Sequence, residues 1–408
     1  MNSLEYGYTY DYNKYYILYN PLAILLIWRC NYCTSTLVPA FSSNLFLLFF
    51  FLWIVLVALG NRYVLGRLLK QGRELICFIV INTVLNLFLL GNMDQETINY
   101  IIVFICLAIF ECYAEPKYRG FKVFVIILIL VDTCVKVIYS IAQLKINPGI
   151  VKQMSVAGAS DSRVVSILIA DYSTVYVCVL IVAFLFYVLL NKKKDYLSFV
   201  YLVVICILGY FILKCSFFFA LLLLSYGIAA TLFFHKKRSF IIFPLMGIIF
   251  ALLFSKFLGD FCSLMATQNY WSEIIKGKWA DMALLLKYGS DAAYMSDMRL
   301  DLMKRSWNVF VERPLFGIFS LNVRDLSVGK HSGWLDGLGN YGIIRYSLFL
   351  VFLIRAMKRL VSYRGHEKSI YVVSSIYFLL SIVNPNVFPQ IWLFFFVLVP
   401  FVLDTMED

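Results

Sequence analysis

This chain reads as an all-α polytopic membrane protein of about twelve transmembrane helices, with one long extracytoplasmic loop before the last three. Three observations carry that reading. Mean hydropathy is +0.82, with 62% hydrophobic and only 15% charged residues, which excludes an ordinary soluble domain. The apolar residues fall into separate runs, several of them 17 residues or longer, enough to cross a bilayer as helix. The runs also lack the ten-residue apolar/polar alternation of barrel strands, and only closed barrels or helices satisfy their backbone groups in lipid.

In order, spans are expected at about 16–33, 44–61, 75–91, 98–114, 121–142, 165–190, 196–213, 217–234, 239–258, 334–354, 369–384 and 390–404. The first is interrupted by Asn20-Pro21 and Arg29. No basic region with a cleavage site precedes it, so it is expected to be retained. The net charge of +12 lies largely in short loops: Arg62 to Arg73, Lys117 to Lys122, Lys192 to Lys194, Lys236 to Arg238, and Arg355 to Lys368. These clusters fall on one side of a twelve-span topology, which puts both termini in the cytoplasm and leaves nucleic acid without a role. The loop after the fifth span, with Lys145, Lys152 and Arg163, is the exception. The chain thus divides into a nine-helix region (1–258), an extracytoplasmic loop with an amphipathic helix (259–332), and a three-helix C-terminal region (333–408). No inverted repeat is visible, which weighs against many transporter folds.

Ten cysteines are scattered, six of them within apolar runs, where thiols behave as small hydrophobes. Cys30 and Cys33 have C-x-x-C spacing but no second pair or histidine nearby, so neither a disulfide framework nor a metal site follows.

The polar stretch Arg299 to Arg345 is the candidate site. Leu300, Met303, Trp307 and Phe310/Val311 recur at helical spacing, and Pro314 and Gly317 end that helix. His331 then precedes the tenth span. The other histidines, His235 and His366, lie in cytoplasmic basic loops, so only His331 is placed to titrate near neutrality outside. Arg299 also reads as a solvated helix face, and His331 as a capping or snorkelling residue. Trp and Tyr enrich the loop, either as an interfacial belt or as faces for sugar rings.

Within the spans, Asp132 and Lys136 stand four apart, either as a neutralising pair or with Lys136 free to meet a lipid-linked phosphate. Lys214 snorkels at the end of the seventh span or serves as a second phosphate contact. Arg345, deep in the tenth span, is expected to face a polar cavity or a carboxylate. Asn82 and Asn86, one turn apart, are expected to bond between helices.

The order of these residues resembles the O-antigen ligase/polymerase superfamily. Arg299 is followed by Trp307, Phe310 and Pro314-Leu315-Phe316-Gly317, then by His331-Ser332-Gly333-Trp334-Leu335-Asp336 and Tyr341-Gly342. That matches an arginine-led helix ending W-x-x-F-x-x-x-P-L-F-G and a later H-[NS]-x-x-L segment, over roughly Arg299 to Leu350. The H-S-x-W-L-D-x-L form is more like Wzy-type polymerases, with the ligases that load lipid A–core as the nearest alternative. Two departures stand out: Lys214-Cys215-Ser216 occupies a turn where the family often has Ser-Arg, and Arg345 stands where a small residue is common.

The resemblance implies transfer of an undecaprenyl-diphosphate-linked glycan to a hydroxyl of another lipid-linked repeat unit, at the outer face of a bacterial inner membrane. His331 would be the general base and Arg299 the main diphosphate ligand, with Lys214 as helper. Asp336 would orient the histidine or touch acceptor sugar. Arg305, Arg345, Lys136, Trp307 and Trp334 complete the candidate substrate contacts. No cofactor or metal is implied; membrane lipids, a chain-length regulator and a flippase are the implied partners. Two other classes stay open. Asp94-Gln95-Glu96 offers a D-x-E pair to a metal-dependent transferase, and twelve spans with buried charge also suit a lipid-oligosaccharide flippase.

Overall fold

The computed structural model describes residues 13–31, 43–60, 62–90, 95–147, 149–156, 169–191, 196–215, 217–233, 253–269, 273–288, 294–318, 328–363, 365–384 and 388–406. It is 89% helical without strands among the described residues, so the all-α class holds. The first helices are α1 (Asn13–Asn31), α2 (Ser43–Gly60), α3 (Arg62–Leu90), α4 (Gln95–Cys112), α5 (Arg119–Ile146) and the short α6 (Ile150–Val156). Then come α7 (Tyr172–Asn191), α8 (Tyr196–Cys215) and α9 (Phe218–Phe233). Next come α10 (Ser255–Ala266), which starts within the expected ninth span and runs into the expected loop, and α11 (Glu273–Tyr288) and α12 (Tyr294–Glu312), which lie in that loop. The chain closes with α13 (Gly333–Val361), α14 (Glu367–Val383) and α15 (Pro389–Asp404).

Among the described residues, α7, α8 and α13 are long and apolar enough to cross a membrane, while α9, α15 and parts of α2 and α4 form shorter apolar helices. The expected ninth span, 239–258, lies mostly outside the described residues, as do Lys192 to Lys194 and Lys236 to Arg238.

Burial sorts these helices into a centre and a periphery. In α7, 83% of the apolar window is buried, against 39% in α8, although their hydropathies are nearly equal. Hydropathy reports what a helix tolerates around it; packing decides which helix is enclosed. Around α7 stand α8, α9 and α14, and α15 runs buried against α4 and α7. Within α15 the backbone widens to a π turn at Phe394–Leu398 just before and around the start of Val399-Pro400. Proline has no N–H to continue the helical ladder, and a widened turn is a common accommodation.

Apolar helices gain little hydrophobic energy by associating in lipid, so close approach of small residues matters more. Gly227 in α9 is such a point: a Cβ there would lie 2.7 Å from the Ile376 side chain of α14 and 2.9 Å from Ala183 of α7.

The basic stretch Arg62 to Arg73, expected as a loop, is instead the first third of α3. Within it Arg67 and Arg73 stand in ion-pair range of Glu115 and Glu74, and Arg355 and Arg359 near the end of α13 are paired too. Arg355 of α13 bonds Glu74 of α3, and Arg359 donates to Glu111 of α4 at 2.8 Å. Lys122 of α5 meets Asp404 of α15, which also accepts from Tyr363 at 2.8 Å. Glu111 and Lys122 are fully buried, and a buried ion is tolerable only with such a partner.

Gly227→Leu is expected to lower stability by roughly 1–3 kcal/mol through overpacking of α7, α9 and α14. Thermal unfolding in detergent measures it, and an unchanged midpoint would show that the three helices do not depend on that contact.

Candidate functional site

The two halves of the motif are joined at a break in α13. Gly342 has φ +63° and ψ 178°, outside helical values, so α13 is two helical pieces meeting there. The break frees N–H groups, and the turn that ends α12 supplies their acceptors. Ile343 N–H donates to Pro314 O at 2.7 Å, and Ile344 N–H to Leu315 O at 3.1 Å. In return Ile318 N–H donates to Gly339 O at 2.9 Å. Gly317 and Gly342, both with positive φ, meet at this crossing. A Cβ on either would lie 2.5 Å from the other's backbone nitrogen, so no side chain fits, quite apart from the strain of the conformation.

Arg345 completes the joint. Its Nη2 donates to Asn340 O at 2.9 Å and also to Phe316 O, and its Nε donates to Tyr341 O at 3.1 Å. Nη1 donates to Asn82 Oδ1 of α3 at 2.7 Å. The expected polar surroundings are thus backbone carbonyls and an amide. A guanidinium suits them because its planar fork offers several donors at once. Asn86 bridges α3 and α4 by donating to Thr97 at 3.0 Å.

Next to this joint, Asp336 grips the histidine's turn. One carboxylate oxygen accepts from Ser306 Oγ of α12 at 2.6 Å and from Lys330 N–H at 3.2 Å. The other accepts from Ser332 N–H at 2.9 Å. The backbone is therefore held on both sides of His331, with Lys330 in the left-handed region at φ +59°. Ser306 Oγ in turn accepts from Gly329 N–H at 2.8 Å. Ser332 caps α13, accepting from Leu335 N–H at 3.4 Å. His331 is half-buried and close enough to Asp336 to interact electrostatically. Asp336 acts on the backbone around the histidine, and both its oxygens are occupied by protein donors.

The apolar stripe read for α12 is not the face that packs. Trp307 and Val311 are about half exposed, whereas Ser306 and Val309 are buried. Small residues explain this: a Cβ at Gly339 would lie 2.7 Å from Val328 and 3.2 Å from Ser306 O, so α12 and α13 approach almost backbone to backbone. Ser306 and Gly329 do not stand out in the sequence, because a lone Ser and Gly carry no periodic signal. The spacing of Ser306 seven residues after Arg299 is the one clue, since two turns return to the same helix face.

Arg299 lies in α12 seven residues before Ser306; its side chain is outside the described residues. Arg305 is on another face, beside an open groove of about 430 Å³ shared with Asp301, Lys304, Asn308 and Glu312. Trp334 donates from Nε1 to Phe378 O at 3.4 Å and packs on Tyr377 and Phe378. Lys214 is exposed at the end of α8, its ammonium 5.5 Å from the Tyr210 ring.

Lys136 is buried in α5, and α5 packs on α8. Asp132 and Lys136 do not close an ion pair. Asp132 accepts from Asn31 of α1 at 2.6 Å, and Lys136 is shared electrostatically between Asp132 and Asp171. An amide from another helix outcompetes the same-helix ammonium for that oxygen. Asp94 lies outside the described residues, as do the side chains of Gln95 and Glu96. Among the described residues no group of three His, Cys, Asp or Glu is placed to hold a metal ion.

No protein-family model matches the chain, and no curated protein matches it either.

The joint and the turn make separable demands. Asp336→Ala strands three donors and is expected to cost about 3 kcal/mol or more, given roughly 1–3 kcal/mol for each buried group left unpaired. Lys304→Ala, on the exposed face of α12, is expected to stay within about 0.5 kcal/mol. Equal unfolding midpoints for the two variants would mean that the Asp336 bonds do not hold the turn.

Proposed function

We propose that this chain is a Wzy-type polysaccharide polymerase of a bacterial inner membrane. It has about twelve spans with both termini cytoplasmic, and α10 to α12 lie on the outer face. The observation that carries the reading is the Asp336 clamp. It ties Ser306, in the arginine-led half of the motif, to the backbone on either side of His331, so residues 25 to 32 positions apart in sequence share one rigid corner.

That corner suits glycosyl transfer from a lipid diphosphate. The acceptor hydroxyl is a poor nucleophile, and His331 takes its proton as the new C–O bond forms at the anomeric carbon. The bond from that carbon to the diphosphate oxygen breaks, and the departing lipid diphosphate carries the electron pair. Arg299, on the same face of α12 as Ser306, pairs with that charge bidentately, and Lys214 adds a point charge. The donor is undecaprenyl-diphosphate-linked, and the acceptor is another lipid-linked repeat unit. A positioned base contributes roughly 10²–10⁴ in rate, so its loss is expected to abolish visible polymer.

The test deletes the gene in its host and complements with wild type, His331→Ala or Arg299→Ala, each checked for membrane abundance. Loss of the surface-polysaccharide ladder, with a single repeat unit still attached to lipid A–core, is the expected result for both variants. Bare core with polymer stranded on the lipid carrier would instead mean a ligase. A full ladder from abundant His331→Ala protein would remove the histidine from the mechanism.

A further inference from the structure

Helix α10, which runs from the end of the expected ninth span into the expected loop, turns an apolar face away from the protein. In α10, Phe257, Phe261 and Leu264, with Phe254 at its N-cap, are exposed, Phe257 by 66%. At 100° per residue these four positions fall within about 80° of one another. The opposite face is the one that packs: Gly259 and Cys262 are buried. A Cβ at Gly259 would lie 2.6 Å from the Lys287 side chain of α11. Lys287 Nζ reaches from this seam to Asp260 at 2.6 Å and Ser263 at 3.1 Å. A helix in water would bury such phenylalanines; here they are exposed, with the exposed charges Lys256 and Asp260 beside them, as on a helix at a membrane interface.

The surroundings identify what covers the stripe. Trp279 of α11 stacks edge-on against Phe218, the first residue of the apolar helix α9, with centroids 4.7 Å apart. It also meets Phe261 of α10, at 6.2 Å. Through Trp279 the α10–α11 pair is therefore pinned at the end where α9 begins, and α9 itself exposes Leu222. Tryptophan is the side chain most at home at that depth.

We infer that α10 is seated in the acyl-chain border of the lipid leaflet, with its Phe257/Phe261 stripe against phospholipid. The occupant is bulk phospholipid rather than a second copy of the chain or another protein. The consequence is mechanical: the α10–α11 pair is held at the membrane surface. The inference uses no feature of the polymerase reading, and its test is read without activity.

The full chain is reconstituted in vesicles of phosphatidylethanolamine and phosphatidylglycerol. It is labelled with a diazirine on the lipid acyl chain or, separately, with a water-soluble diazirine, and peptides are mapped by mass spectrometry. Lipid-borne adducts are expected on Phe257 and Phe261 as on Leu222 of α9, with the aqueous reagent sparing them. Phe257→Glu/Phe261→Glu is expected to lose the adducts on α10 while keeping those on α9. Aqueous labelling of the wild-type phenylalanines overturns the inference, and so does protection from both reagents, which would mean a protein covers the stripe. Undiminished lipid labelling of α10 in a double variant with normal α9 labelling overturns it equally. A variant that loses its α9 labels has not folded, and the wild-type labelling then decides alone.

Discussion

A helix interrupted among apolar neighbours must find partners for the backbone groups it exposes, because lipid offers none and each one left unpaired costs several kcal/mol. Gly342 creates that demand in α13, and much of the C-terminal architecture answers it. The Pro314 and Leu315 carbonyls receive the freed N–H groups of Ile343 and Ile344. The Arg345 guanidinium gathers the Phe316, Asn340 and Tyr341 carbonyls. A buried arginine is ordinarily expensive, but here its donors fall on the negative ends of peptide dipoles at a helix terminus, where a cation is favoured. Its bond to Asn82 extends the joint to α3.

Once α12 is locked into α13, the geometry of the His331 turn follows. The close helix contact brings Ser306 within reach of Asp336, and the carboxylate, already at the start of α13, offers one oxygen to the backbone on each side of the histidine, that on the Lys330 side shared with Ser306. Residues holding the turn are thus distinct from the residue presented by it. Rigid elements rather than a long tether carry the candidate base, which is what positioned proton transfer requires.

The far end of α13 is stabilised differently. Around Arg355, beyond the break at Gly342, the site gives way to ion pairs. Glu74, Glu111 and Asp404 draw α3, α4, α5, α13 and α15 together. The carboxylates keep the positive charge of this end from being wholly repulsive, while exposed Arg67, Arg73 and Lys117 remain at its rim. One end of the bundle is joined by backbone bonds, the other by charge.

How much of this was legible depends on whether the signal was local. Hydropathy and run length depend on each residue's own transfer energy, so the all-α class and the apolar helices could be read directly, whereas the helical Arg62–Arg73 and Glu273–Tyr288 carry no such signal. The candidate positions Arg299, His331 and Asp336 stand out as an ordered motif. The role of Asp336 was not, because it acts on main-chain N–H groups that every residue possesses. Arg345 looked like an isolated charge because its partners are carbonyls and an asparagine 263 positions away. The α12 stripe of Met303, Trp307 and Val311 was correctly periodic yet not the packed face, since helix approach followed the small residues Ser306, Gly329 and Gly339. The sequence by itself determined the all-α class, the main apolar helices and which residues are chemically able to act. Only the tertiary structure decided which helix is enclosed and which charges are paired, because those depend on the neighbours that folding brings and not on the residue alone.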